Sequence, residues 1–96
     1  MKLRNLFRRK TVDNEAVRRG RLLLSGRIAE ARVSDARNDA SGLITQIFYS
    51  YSVGGVDYEA SEPLSEEQRQ HGDDYVPGAL ITVRYDPRQH GNSIIV

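Results

Sequence analysis

From Gly26 onward the chain alternates. Ala29, Ala31 and Val33 stand between Glu30, Arg32 and Ser34, the period-two pattern of a strand with one dry and one wet face. Leu22-Leu23-Leu24 reads as the start of this same long, curved strand, with Gly26 marking a bulge or bend within it. Residues 36–42 are polar and rich in Asn, Asp and Gly, which tolerate left-handed backbone, so a reversal is expected there. Ile47, Tyr49, Tyr51 and Val53 then share a face opposite Gln46, Ser50 and Ser52, with Ile44 and Phe48 interrupting the polar side. Gly54-Gly55 follows at once, a two-residue hairpin signal because the favoured turns need positive φ. Val56, Tyr58 and Ala60 carry the inner face back.

Pro63 removes an amide donor and ends that strand. Ser65-Glu66-Glu67-Gln68 is a capping box opening one or two helical turns, which Gly72 can close. After the Pro77-Gly78 turn, Ala79, Ile81, Val83 and Tyr85 alternate with Leu80, Thr82, Arg84 and Asp86, and Asp86-Pro87 stops the run. Ile94-Ile95-Val96 is an apolar β-branched stretch expected to pair as the last strand. Upstream, Asp13 to Arg19 suits about two helical turns, capped by Thr11 or Asp13 and stopped at Gly20.

Short antiparallel strands at this spacing, in a chain of 96 residues, bury their inner faces most economically in a strongly twisted small barrel. The expected fold class is all-β and mainly antiparallel: a five- to six-stranded barrel or roll with one or two short helices. The expected organisation is a basic arm with a short helix over residues 1–20 and a single small β-barrel domain over residues 21–96.

Charge divides the chain more sharply than its net value of +1 suggests. Residues 1–27 hold nine basic side chains against Asp13 and Glu15, a balance of +7, whereas the remainder holds five arginines against eleven acids, a balance of −6. A basic arm on an acidic body attracts an anionic membrane surface or nucleic acid phosphate. Leu3, Leu6 and Phe7 fall at i, i+3 and i+4 among Arg4, Arg8 and Arg9, the arrangement of an interfacial anchor; the plainer alternatives are a solvated terminus or packing of Leu6 and Phe7 on the domain. Lys2, Arg4, Phe7, Arg8, Arg9 and Lys10 are the candidate partner or membrane contacts. The stretch lacks the apolar core and cleavage site of a secretory signal, and no run approaches the ~20 apolar residues of a membrane span.

The absence of cysteine removes disulfides, thiolate metal sites and cysteine nucleophiles. His71, Asp73 and Asp74 are close in sequence but supply too few ligands for zinc without His90 or others joining them. There is no nucleophile elbow, no histidine pair on helical spacing and no phosphate-cradling glycine loop. No catalytic residue, metal or cofactor is expected, and the chain is not expected to be an enzyme. Tyr49, Tyr51, Tyr58 and Tyr85 share faces with Ile47, Val53, Ile81 and Val83, which favours packing over base stacking. Phe48 is the candidate exposed aromatic, free in solvent, under a helix or in an interface.

The segments Gly26 to Val33, Phe48 to Tyr58 and Pro77-Gly78 with Val83-Arg84-Tyr85-Asp86-Pro87 resemble, in order and spacing, the bacterial family catalogued as domain of unknown function 3592. The resemblance covers roughly residues 20–96, and its most specific elements are the glycine before an alternating strand, Tyr-x-Tyr-x-Val-x-Gly and the final Tyr-Asp-Pro. Many members carry hydrophobic membrane-spanning segments around the β-domain, and none stands in these 96 residues. After Arg88, where the family often repeats a proline, this chain has Gln89-His90-Gly91-Asn92. The resemblance implies a fold and supplies no catalytic or binding residue.

These readings lead to a soluble, non-enzymatic interaction module that contacts an unidentified protein or an anionic membrane surface through its arm. Its expected location is cytoplasmic, either free or peripheral to the inner membrane. A barrel binding single-stranded nucleic acid is the alternative, disfavoured by the acidic charge beyond residue 27. Self-association through a strand edge is a third expectation.

Overall fold

The computed structural model describes the backbone of residues 3–96 and the side chains of residues 14–96. Helix α1 (Leu3–Ser25) precedes strands β1 (Arg27–Asn38), β2 (Ile44–Val53) and β3 (Val56–Pro63). The short helix α2 (Glu66–Arg69) and a 3₁₀ turn (Gly72–Tyr75) lead into β4 (Leu80–Asp86) and β5 (Gln89–Ile95). The five strands form one antiparallel sheet in the order β3-β2-β1-β4-β5. It curls until β3 and β5 face each other, giving a nearly closed barrel.

Inner-face residues from every strand fill the barrel. Ile47, Tyr49, Val33 and Val83 are almost fully buried, and Ala31, Tyr51, Ile81 and Ile95 complete the centre. The alternation predicted for β1, β2 and β4 is therefore the alternation observed. Gly54 and Gly55 have φ of 60° and 81°, the positive pair that a two-residue hairpin matched to strand twist demands. The Ser65 hydroxyl accepts from the Gln68 amide while the Gln68 side chain accepts from the Ser65 amide, so the capping box forms as read.

Three sequence expectations are corrected. The helix is not confined to Asp13–Arg19 and does not stop at Gly20; α1 continues to Ser25 and takes in Leu22, Leu23 and Leu24, which were expected in a strand. The leucines follow the helix because Leu22 alone is buried while Leu23 and Leu24 stay exposed, a one-sided pattern that packing of a single helical stripe produces. Gly26 is the junction between α1 and β1 rather than a bulge. A Cβ there would lie 2.5 Å from the Leu22 carbonyl oxygen and 3.0 Å from the Arg84 Cβ, so the glycine is required by close approach. Finally, Ile44 does not interrupt a polar face: a register shift between Arg37 and Asn38 re-aims it, and it packs against the core.

Candidate functional site

The basic and acidic halves of the chain meet where α1 lies across the outer side of β4 and β5 and reaches the seam of the barrel. Leu22 and Ile94 are both buried yet stand apart from the inner core. Ile94 pairs with Arg84 on the sheet, while Gly26 brings the end of α1 against that same Arg84. The helix end is tied by hydrogen bonds to its own carbonyls: the Ser25 hydroxyl donates to Arg21 and the Gly26 amide to Leu22. The Arg84 guanidinium donates to the Gly26 carbonyl at 2.9 Å.

At the seam, side chains replace the missing strand ladder. Glu62 points inward from β3, is 5% exposed, and its Oε2 accepts the Ile95 amide of β5 at 3.2 Å. Arg19 of α1 donates to Glu62 Oε1 at 3.2 Å. Beside it, Arg18 donates to Asn92 Oδ1 at 2.7 Å and to the Ser93 carbonyl at 3.3 Å, while Glu15 holds its other nitrogens. The β5 edge groups at Ser93 and Ile95 are thus satisfied by Arg18 and Glu62, which leaves this edge with less to offer another strand. Burial pushes the Glu62 carboxyl above its ordinary range despite Arg19 and the Ile95 amide, which pull the other way. Arg18 holds Glu15 below it.

Between α1 and the β4–β5 turn lies a cleft of about 670 Å³, whose polar lining comes chiefly from Asn14, Arg18, Arg21, Asp86, Arg88 and Asn92. Arg21 and Arg88 are exposed, and neither side chain bonds another described residue. Asp86 is the cleft's one acid among the described residues, and its Oδ1 accepts the Arg88 backbone amide at 2.8 Å.

The tyrosines occupy the interior. Tyr51 stacks against Tyr49, Tyr58 and Tyr85 at centroid separations of 6.1, 5.9 and 6.2 Å, and His90 meets Tyr58 and Tyr85 edge-on. The Tyr49 hydroxyl pairs with the Ser93 hydroxyl at 2.7 Å, and burial pushes the phenol up to about 12. Phe48 is half-buried on the outer face, with the Arg37 guanidinium 5.4 Å from its ring centre. His71 lines a separate cleft with Asp73 and Asp74. Among the described residues no three histidine or acidic groups gather in metal-ligating geometry.

The side chains of Lys2, Arg4, Phe7, Arg8, Arg9 and Lys10 lie outside the described residues. The sequence reading missed Arg18, Arg19, Glu62 and Asn92 as an assembled group, because they lie on three elements, α1, β3 and β5, and nothing in their spacing announces the seam. The inward position of Glu62, two residues beyond Ala60 on the same strand face, was the available signal. Among the described residues no helix is long and apolar enough to cross a membrane.

Residues 25–96 match the family model described as domain of unknown function (DUF3592), and the chain belongs to that family. The match covers the barrel and the Gly26 junction, and begins at the last residue of α1. No curated protein and no solved structure matches the chain.

Proposed function

We propose that this member of the family is a non-enzymatic interaction module whose α1 contacts an anionic membrane surface. The observation that supports the reading is the division of labour along the helix. Arg18, Arg19 and Leu22 contact the barrel, Leu24 is 89% exposed, and Val17 and Arg21 stay exposed at the rim of the cleft between the helix and the β4–β5 turn. Leu23 and, just past the junction, Ile28 add exposed apolar surface at the same end. A helix seated by one side while leaving cations and aliphatics exposed has the chemistry of an interfacial element.

The sequence upstream of Asn14 continues that charge through Lys2, Arg4, Arg8, Arg9 and Lys10, each contributing about 1 kcal/mol near an anionic leaflet. The place that goes with this role is the cytoplasmic side of the inner membrane, held peripherally. The acidic balance of residues 28–96 works against the alternative, a single-strand nucleic acid groove on the barrel wall.

The test is vesicle sedimentation of the full chain at low salt, beside a variant with those five basic residues replaced by glutamine. The intact chain pellets with phosphatidylglycerol vesicles, and the variant loses at least about 100-fold in partitioning. Equal pelleting of the two proteins, or none by the intact chain, rejects the reading.

A further inference from the structure

The geometry points to the cleft between α1 and the β4–β5 turn as a binding site for a phosphate-type anion, with Arg21 and Arg88 as its charged walls. This deepens the membrane reading and rests on it for the source of the anion when that source is a lipid headgroup.

Three arginines line the cleft, and their states differ. Arg18 is committed: Glu15, Asn92 and the Ser93 carbonyl hold its guanidinium, so it fixes one wall. Arg21 and Arg88 come from a helix and a hairpin turn that are far apart in sequence, yet both border this one space, exposed and bonded to no other described side chain. Two guanidiniums bordering one cleft from separate elements supply the forked donors that phosphate oxygens take in pairs. Asn14 and Asn92 add neutral amide groups at the edge.

Two features oppose an anion there. Asp86 carries a negative charge, but its Oδ1 is turned onto the Arg88 amide and in doing so shapes the turn that presents Arg88. The C-terminal end of α1 carries about half a negative charge from its dipole. In its last turn the Leu22 carbonyl accepts the Gly26 amide. Against these stand two uncommitted full positive charges, which prevail. Chemically, the cleft suits a phosphate dianion, which a phosphomonoester lipid headgroup or free inorganic phosphate can supply.

The experiment uses the full chain with two probes. Sodium phosphate is titrated at constant ionic strength while backbone amide resonances are followed, and flotation is measured with phosphatidylcholine vesicles containing phosphatidic acid. The native chain shows saturable shifts at Arg21, Arg88 and Asn92, and it floats. Arg88→Glu and Arg21→Glu, both at exposed positions, abolish the shifts and weaken flotation about 30-fold, two unit charges at roughly fivefold each. Arg69→Glu, an equal charge change outside the cleft, leaves both readouts near native. An effect on flotation alone assigns a lipid headgroup, and an effect on the phosphate shifts alone assigns free phosphate; either supports the site. Absence of phosphate shifts together with flotation unchanged by the reversals, or reduced equally by Arg69→Glu, overturns it while leaving the membrane reading standing. Phosphate shifts in a chain that fails to float would instead reject the membrane reading and keep the cleft.

Discussion

Arg19 and Glu62, 43 positions apart, meet at 3.2 Å where the helix crosses the seam between β3 and β5. Glu62 pays the cost of burial, and Arg19 with the Ile95 amide offsets only part of it, so its carboxyl titrates above the ordinary value of 4.5. The native state therefore holds this proton more tightly than the unfolded chain. The group contributes most below pH 4.5, and its contribution falls as pH rises toward its raised native value. Thermal melts across that window should show Glu62→Gln lacking this downward slope relative to the native protein. Parallel pH dependences in the two proteins would contradict the assignment.

Arg19→Ala leaves the Glu62 carboxylate with fewer partners in a nearly closed site. A loss of about 1 to 3 kcal/mol at neutral pH is expected, and it should shrink when Glu62→Gln is added. Denaturant unfolding of the two single variants and the double variant measures the coupling; additive losses would show that the pair does not act together.

The Tyr49 hydroxyl is buried against Ser93, and its ionisation lies near 12. An unfolded tyrosine ionises near 10, so the stability this group contributes is full below that pH and is lost between about 10 and 12. Tyr49→Phe strands the Ser93 hydroxyl at a cost of about 1 to 2 kcal/mol, and Ser93→Ala in the same chain recovers most of it. Ultraviolet titration should show the native protein's late-ionising phenol missing from Tyr49→Phe; an unchanged titration would assign that phenol elsewhere.

Gly26→Ala drives a Cβ into the Leu22 carbonyl oxygen, an atom of fixed backbone. A cost of about 1 to 3 kcal/mol follows, with the helix lifted from Arg84. Circular dichroism and unfolding of this variant check it, and native stability would show that the junction has slack. Gly20→Ala provides the contrast: no atom lies within 4 Å of the added Cβ, and the helix gains about 1 kcal/mol of propensity.

The barrel was legible because each strand carries its own period. Ala31 and Val33, Tyr49 and Tyr51, and Ile81 and Val83 declare an inner face without reference to partners, and Gly54-Gly55 declares its turn. The end of α1 was not legible, because Leu22-Leu23-Leu24 has no period of its own and Gly20 imitates a stop. Which leucine is buried is decided only when α1 docks on β4 and β5, strands that lie more than fifty residues later. The seam was hidden for the same reason: Arg18, Arg19 and Glu62 acquire meaning only once β3 and β5 are brought face to face. The tyrosines were read as core and are core, whereas Phe48 sits half-buried beneath Arg37 on the outer wall.

The proposed membrane role requires α1, seated on the barrel by Arg18, Arg19 and Leu22, to meet the anionic surface. Amide hydrogen exchange of the full chain, with and without phosphatidylglycerol vesicles, tests it residue by residue. Vesicle-dependent protection is expected over residues 14–25 and the β4–β5 turn, with residues 46–52 and 57–61 around Phe48 unchanged. Protection confined to the Phe48 wall, or no vesicle-dependent change along α1, would contradict it.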